Sequence, residues 1–344
     1  MKIFSALTVV LILAAAAYVG VEIFGLYAIF GVVIPYFAFF TFAGGFVLKI
    51  LSWAKSPTPF NITTTAGQQK SLKFIKNAPL ENPSGVVGVA GRILLEVFFF
   101  RSLFRNTKTA MTKDNRPGYQ SEKSLWLGGL VFHWSFFYIF IRHLRFFTYP
   151  VPGFVSSMET IDRLFQIGLP GLYLTDIFLL LSVTFLFFRR VAIPQIKYMS
   201  LLADYFPLFL IAAIGFSGIA MRYFVRTDVM GIKNMTMGLI SFKPVIINDT
   251  GSLFYIHLFL VSSLFLYFPF SKLMHAGGIF MSPTRNLAGN SRKKRHINPW
   301  NYPVKTHSYE EYENDFRDAM RGAGLPLENP GSDVSGHGKQ EGKE

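Results

Sequence analysis

An all-α integral membrane protein, a bundle of six transmembrane helices with one interfacial helix and a polar C-terminal tail, is the fold class this sequence predicts. Three observations carry the prediction. Of 344 residues, 51% are hydrophobic and 17% aromatic, and mean hydropathy is +0.35, values at the apolar end of what a chain can carry. The apolar residues gather into charge-poor stretches of about 20 residues, the length a helix needs to cross ~30 Å of hydrocarbon. Lysine and arginine cluster in alternate connections, which places those connections on the inner face.

The first span runs from Phe4 to Val21 after Lys2. Its small-residue end also suits a cleavable signal peptide, and retention as a membrane helix is the expectation. Leu26 to Leu51 turns back after Glu22 and Gly25 to complete the region 1–52. Residues 53–123 form a basic cytoplasmic loop, in which eleven lysines and arginines face only Glu81, Glu96, Asp114 and Glu122. Within it, Val86 to Phe104 alternates apolar runs with Arg92, Glu96 and Arg101 and reads as a helix lying in the membrane interface, packing on other spans being the alternative.

Four spans fill residues 124–280. They are Leu125 to Phe147, Leu172 to Phe188, Leu201 to Phe224 with Pro207 inside it, and Gly251 to His275. Thr148 to Gly171 and Arg226 to Thr250 become loops of the outer face, while Arg189, Arg190 and Lys197 mark the inner one. The polar tail, 281–344, adds Arg285 and the run RKKR at 292–295. Both termini are therefore expected in the cytoplasm, with the chain multi-pass in the cell inner membrane. One tail helix, Tyr309 to Arg321, is announced by the capping-box spacing of Ser308 and Glu311. Residues Gly331 to Glu344 have a disordered composition.

Charge and cysteine content narrow the function. The net charge of +14 collects at inner segments, which assigns it to membrane-face contact and partner docking rather than to nucleic acid. Residues Ile297 to Arg321, with Trp300 and Tyr302, are the docking candidate. The chain has no cysteine, which excludes disulfides, thiol nucleophiles, iron–sulfur clusters and covalently attached c-type haem.

Four histidines lie in spans, two on each of two helices. His133 and His143 are ten residues apart, a rise of about 15 Å. His257 and His275 are eighteen apart, five whole turns on one face and roughly 27 Å. If the two helices run antiparallel, His133 meets His275 at one depth and His143 meets His257 at the other, the arrangement two bis-histidine haems require, with metal centres about 21 Å apart. The unequal rises call for a bend, which Pro269 can provide. A membrane histidine bonded to a neighbouring helix is the alternative for each one alone. Gly128 and Gly129, a turn before His133, would let a flat macrocycle approach the backbone or let helices pack closely. Arg142, Arg145 and Arg222 near the outer ends, and Lys272 near the inner end, are candidates to meet haem propionates, with snorkelling to the interface as the other reading.

The segments LVFHWSFFYIFIRH and FYIHLFLVSSLFLYFPFSKLMH resemble the two haem-binding helices of the respiratory nitrate reductase gamma subunit family, di-haem b cytochromes with a five-helix core. Phe4 to Val21 would add an extra N-terminal helix to that core. The extra helix, the loop segment TTAGQQKS and the tail HINPWNYPVKTHSYEEYENDF resemble, more narrowly, DsrM-type cytochrome b subunits of the sulfite-reduction-associated Dsr complex. The resemblance implies two haem b groups, the inner on His133 and His275 and the outer on His143 and His257. It also implies a menaquinone site near the outer haem, a cytoplasmic iron–sulfur partner related to heterodisulfide reductase, and other subunits of a Dsr-type complex. A small trisulfide-carrying protein is the expected final acceptor. Arg163 follows the outer ligand at a distance comparable to a basic residue that serves the quinone site in relatives, within a loop that departs from their pattern. The expected role is an electron-transfer subunit of a quinol:acceptor oxidoreductase, with quinol oxidised outside. Quinone reduction in the opposite direction, a haem-free proton-relay transporter and a structural anchor remain as alternatives.

Overall fold

Five helices are long and apolar enough to cross a membrane among the described residues: Lys2–Ile23, Ile29–Ala54, Lys123–Phe147, Leu202–Val225 and Ser252–Phe270. The computed structural model describes residues 2–56, 58, 67–111, 116–163, 173–225, 227–292 and 306–329. The chain forms two units, Met1–His296 and Ile297–Glu344.

Helix α1 (Lys2–Tyr18) continues through a π turn to Ile23 and buries the small face Ala6, Val10 and Ala17. Small side chains let helices approach where hydrocarbon gives no drive to associate, and Ala6 and Val10 join Tyr205, Phe206, Leu210 and Leu260 in one core. Gly25, at φ +64°, makes the turn into the second span. That span enters by a π turn, Ile29–Val33, and runs on as α2 (Ile34–Ala54).

The basic loop is more structured than its composition suggests. Helix α3 (Val86–Phe99) ends where Phe100 turns left-handed at φ 48°, and the short α4 (Arg101–Phe104) follows, so the expected single helix is broken. Its charged side is inward: Arg92 and Glu96 are buried, while Val86 and Val87 are 83% and 88% exposed. The Arg92 guanidinium donates to the carbonyls of Glu81 (2.8 Å), Arg285 and Leu287 (3.4 Å). A hairpin, β1 (Thr107–Met111) against β2 (Pro117–Ser121) with Thr107 opposite Ser121, departs from the all-α expectation.

Helix α5 (Lys123–Phe147) carries His133 and His143. Beyond it stand α6 (Gly153–Asp162), α7 (Leu174–Ala192) and α8 (Pro194–Met199). The nineteen residues of α7 reach about 28 Å, but Asp176, Arg189 and Arg190 at its ends keep it out of the apolar set. Helix α9 (Leu202–Ala220) starts where the Asp204 carboxylate accepts from Leu201 N at 2.9 Å and closes with the π turn Met221–Val225. Where an outer loop was expected, α10 (Val229–Ile240) forms behind Asp228, whose side chain accepts from Met230 N at 3.0 Å.

The last span is corrected most. A continuous helix from Gly251 to His275 is not formed. Helix α11 (Ser252–Tyr267) passes into a 3-10 turn at Phe268–Phe270, Ser271 is extended, and a second 3-10 turn covers Lys272–Met274. Pro269 lacks an N–H and crowds the preceding turn, which stops the helix. Ser271 starts a new turn, its hydroxyl accepting from Leu273 N at 3.1 Å. His275 then opens α12 (His275–Met281), and α13 (Pro283–Asn286) follows. Residues 282–292 stay with the first unit, tied through Arg92 and through Gly289 N to Pro83 O at 2.7 Å.

Helix ends identify the faces of the bundle. Lys2 donates to Ser200 O (3.0 Å), Arg190 to Ser200 Oγ (3.0 Å) and Lys272 to Asp204 (2.7 Å), gathering the starts of α1 and α9 with the ends of α7 and α11. This end is the basic one. In the second unit, α14 (Tyr309–Gly322) has the expected capping box of Ser308 and Glu311.

Candidate functional site

Helix α5 packs on α6, α7 and α10, and α11 packs on α1, α2 and α9, whereas α5 and α11 do not pack against each other along their length among the described residues. Imidazoles face across this separation. The ring centroids of His143 and His257 lie 6.4 Å apart with planes 12° from parallel. Those of His133 and His275 lie 5.9 Å apart at 88°. Each pair joins one residue of α5 to one of the last span.

One nitrogen of every ring is already committed. Nδ1 of His133 meets Gly129 O at 2.7 Å, Nδ1 of His143 meets Ile139 O at 2.7 Å, and Nδ1 of His275 meets Lys272 O at 2.8 Å. A carbonyl can only accept, so these nitrogens carry the proton. His257 Nδ1 lies 2.9 Å from Ser217 Oγ, which itself donates to Ala213 O at 2.8 Å and so accepts from the ring. All four rings therefore present Nε2 as the lone-pair nitrogen, the state of a metal-ligating histidine oriented by its second nitrogen.

Two tests ask whether these residues fit iron porphyrin. Metal–imidazole bonds of about 2.0 Å on opposite sides of one ion put ring centroids roughly 6 Å apart, which both pairs satisfy. No three histidine, aspartate or glutamate side chains gather to hold a bare ion among the described residues. Two facing imidazoles suit an ion whose other donors come from a macrocycle. The residues fit.

Helix packing decides what the glycines do. A Cβ on Gly128 would come 2.4 Å from the Phe185 ring, so this glycine seats α7 against α5, while Gly129 supplies the carbonyl for His133. Gly218 leaves room for His257, whose Cε1 lies 3.4 Å from where a Cβ would stand.

The cations expected near propionates have other partners. Arg142 is buried between Asp176 (2.5 Å) and Asp162 (3.1 Å). Arg145 pairs with Glu159 at 2.8 Å and Lys272 with Asp204 at 2.7 Å. Arg163 Nε and Nη2 donate to the Tyr173 hydroxyl at 3.1 and 2.8 Å, and this bond holds its guanidinium above its ordinary pKa. Arg222, in the π turn after α9, has no ion pair among the described residues and lies 3.8 Å from the Tyr173 ring, with Arg142 3.9 Å from the same ring. Arg142, the residue before His143, thus meets Arg163 and Arg222 on Tyr173.

Sequence reasoning missed Ser217, Gly218, Tyr173, Asp162, Asp176 and Tyr223. One signal was available: Asp176 is an acidic residue in the first turn of an otherwise apolar helix, and such residues are paired or functional. A cleft of about 640 Å³ opens between α2 and the break after α11, lined by Gly44, Lys49, Pro269 and Phe270 among others. None of the expected site residues lines it.

Fold and site together define a multi-pass helical membrane protein with two histidine pairs set at two levels of one bundle. Residues 88–290 match the family of the nitrate reductase gamma subunit, and the chain belongs to that family. Over 279 residues, 79% of this chain and 83% of the relative, it is 42% identical to the Hdr-like menaquinol oxidoreductase cytochrome b-like subunit of Archaeoglobus fulgidus. It is 36% identical over 274 residues, 78% of this chain and 81% of the relative, to the subunit of the same description in Archaeoglobus profundus.

Proposed function

We propose that this chain is the membrane cytochrome b subunit of a menaquinol oxidoreductase complex. It holds an inner b haem on His133 and His275 and an outer one on His143 and His257. The observation that carries the reading is the set of four imidazoles in two pairs, with ring centroids 5.9 and 6.4 Å apart and every Nδ1 bonded, which leaves Nε2 of each ring as the lone-pair nitrogen. The similarity to the menaquinol oxidoreductase cytochrome b-like subunits of the two Archaeoglobus species supports it.

Bound there, b haems supply one-electron transfer between two depths of the membrane. The chain's own residues do the rest. Gly129, Ile139, Ser217 and the Lys272 carbonyl fix the imidazole rings. Arg163 and Arg222, gathered on Tyr173 at the end opposite the basic loops, offer donors to the oxygens of a menaquinol headgroup, and quinol protons leave on that outer side. Helix α7 is the sixth span, its end charges lying at the two interfaces, and both termini are cytoplasmic. The basic loops and the tail dock a cytoplasmic iron–sulfur subunit related to heterodisulfide reductase, within a Dsr-type assembly. The chain is an electron-transfer subunit and does not itself act on sulfite.

A pyridine haemochrome measurement on the isolated chain tests the reading, with two b haems per chain expected. Replacing His143 or His257 by alanine should remove one and leave the other. A colourless protein, or loss of both haems from either single variant, would overturn it.

A further inference from the structure

Arg142 precedes an outer ligand, His143, and from sequence its positive charge would favour the reduced haem. Two buried carboxylates offset that charge. The guanidinium is held by Asp176 at 2.5 Å and Asp162 at 3.1 Å, all three side chains being buried. Neither carboxylate is left loose. Asp176 Oδ2 accepts from the Tyr223 hydroxyl at 3.2 Å, and Asp162 accepts from Thr175 N (3.0 Å) and the Thr175 hydroxyl (2.6 Å). Other charged groups toward this end include Arg222 and Arg163 on Tyr173, the Arg145–Glu159 pair, Glu22 at the end of α1, Asp228 and Lys233 of α10, whose ammonium lies 5.2 Å from the Tyr149 ring, and Lys243 and Asp249 beyond α10.

We propose that Asp176, supported by Asp162, lowers the reduction potential of the outer bis-histidine centre. This rests on the function proposed above. A ferric centre carries one more positive charge than a ferrous one, so a buried anion nearby stabilises the oxidised form. The interaction is strong because little water intervenes to screen it. The carboxylates outnumber the guanidinium they hold, and neutralising either one must move the potential upward whatever the more distant arginines contribute. Asp176 is a positioning and tuning residue, since it touches Arg142 and not the reacting atoms. The His133–His275 pair, one end of α5 away at about 15 Å, serves as an internal reference.

The test is a spectroscopic redox titration of the purified chain and of its Asp176→Asn and Asp162→Asn variants. The outer component is first assigned as the one lost on replacing His257. In Asp176→Asn the outer component should titrate at higher potential and the inner one where it does in the parent protein, with a smaller upward shift in Asp162→Asn. An outer component that stays or falls would overturn the inference while leaving the di-haem reading intact, as would an equal shift of both components. Should Asp176→Asn fail to retain the outer haem, the direction of the shift in Asp162→Asn decides by the same criterion. Absence of haem from the parent protein would remove both.

Discussion

His257 donates its Nδ1 proton to the hydroxyl of Ser217, 2.9 Å away on the neighbouring α9. The other three paired histidines donate to carbonyls of their own chain segment. His257 alone is oriented by a removable side chain. With haems held as proposed, Ser217→Ala should loosen the one on His143 and His257 by about 10–100-fold in affinity, the usual cost of a lost outer-shell partner. Haem retention during detergent titration measures it, and equal retention of both haems would contradict it.

Pro269 ends α11, and His275 begins a new helix beyond the break. Pro269→Ala restores an amide donor and removes the crowding that stops the helix. The continuation would carry His275 away from His133. Redox difference spectra should lose or shift the inner component and keep the outer one. Two unchanged components would show that the break has another cause.

Gly128 faces the Phe185 ring at a distance no side chain can share. Gly128→Val should destabilise the α5–α7 contact by about 1–3 kcal/mol, the cost of overpacking. Adding Phe185→Ala should recover part of that loss. Thermal unfolding of the single and double variants reads the coupling, and additive effects would mean the two residues act separately.

Glu122, buried just before α5, takes a hydrogen bond from Ser124 at 2.8 Å and faces Lys108 (3.5 Å) and Arg189 (3.6 Å). The Ser124 bond first, then the two cations, hold its carboxyl below the usual range against the opposing effect of burial. A carboxylate with a lowered folded pKa stabilises the fold above its unfolded value, about 4.3, and that contribution is lost as pH falls through the folded value. Glu122→Gln should therefore lower the melting temperature at pH 7 and converge with the parent protein as pH falls through the lowered folded value. A constant difference between the two across this range would exclude the linkage.

The histidine pairs were legible because helix periodicity converts sequence spacing into height and face. His133 and His143, on an unbroken helix, fix two levels, and the partners follow from antiparallel order. The rises of about 15 and 27 Å disagreed in sequence. The structure resolves this at Pro269 and Ser271, where the chain abandons the helix instead of bending it. The Asp162–Arg142–Asp176 cluster could not be read, because its members stand on three helices and no local period relates them. Helix α10 and the β1–β2 hairpin escaped for another reason: both are short, and their signals, the Asp228 cap and a Thr-rich strand, are weak beside the apolar spans.

Arg92 grips carbonyls on either side of it in sequence, at Glu81 and, 193 residues later, at Arg285. During synthesis, the early half of that grip emerges long before its counterpart has been translated. The loop between α2 and α5 must therefore wait, partly assembled, until the last apolar helix is finished and the chain returns to close it.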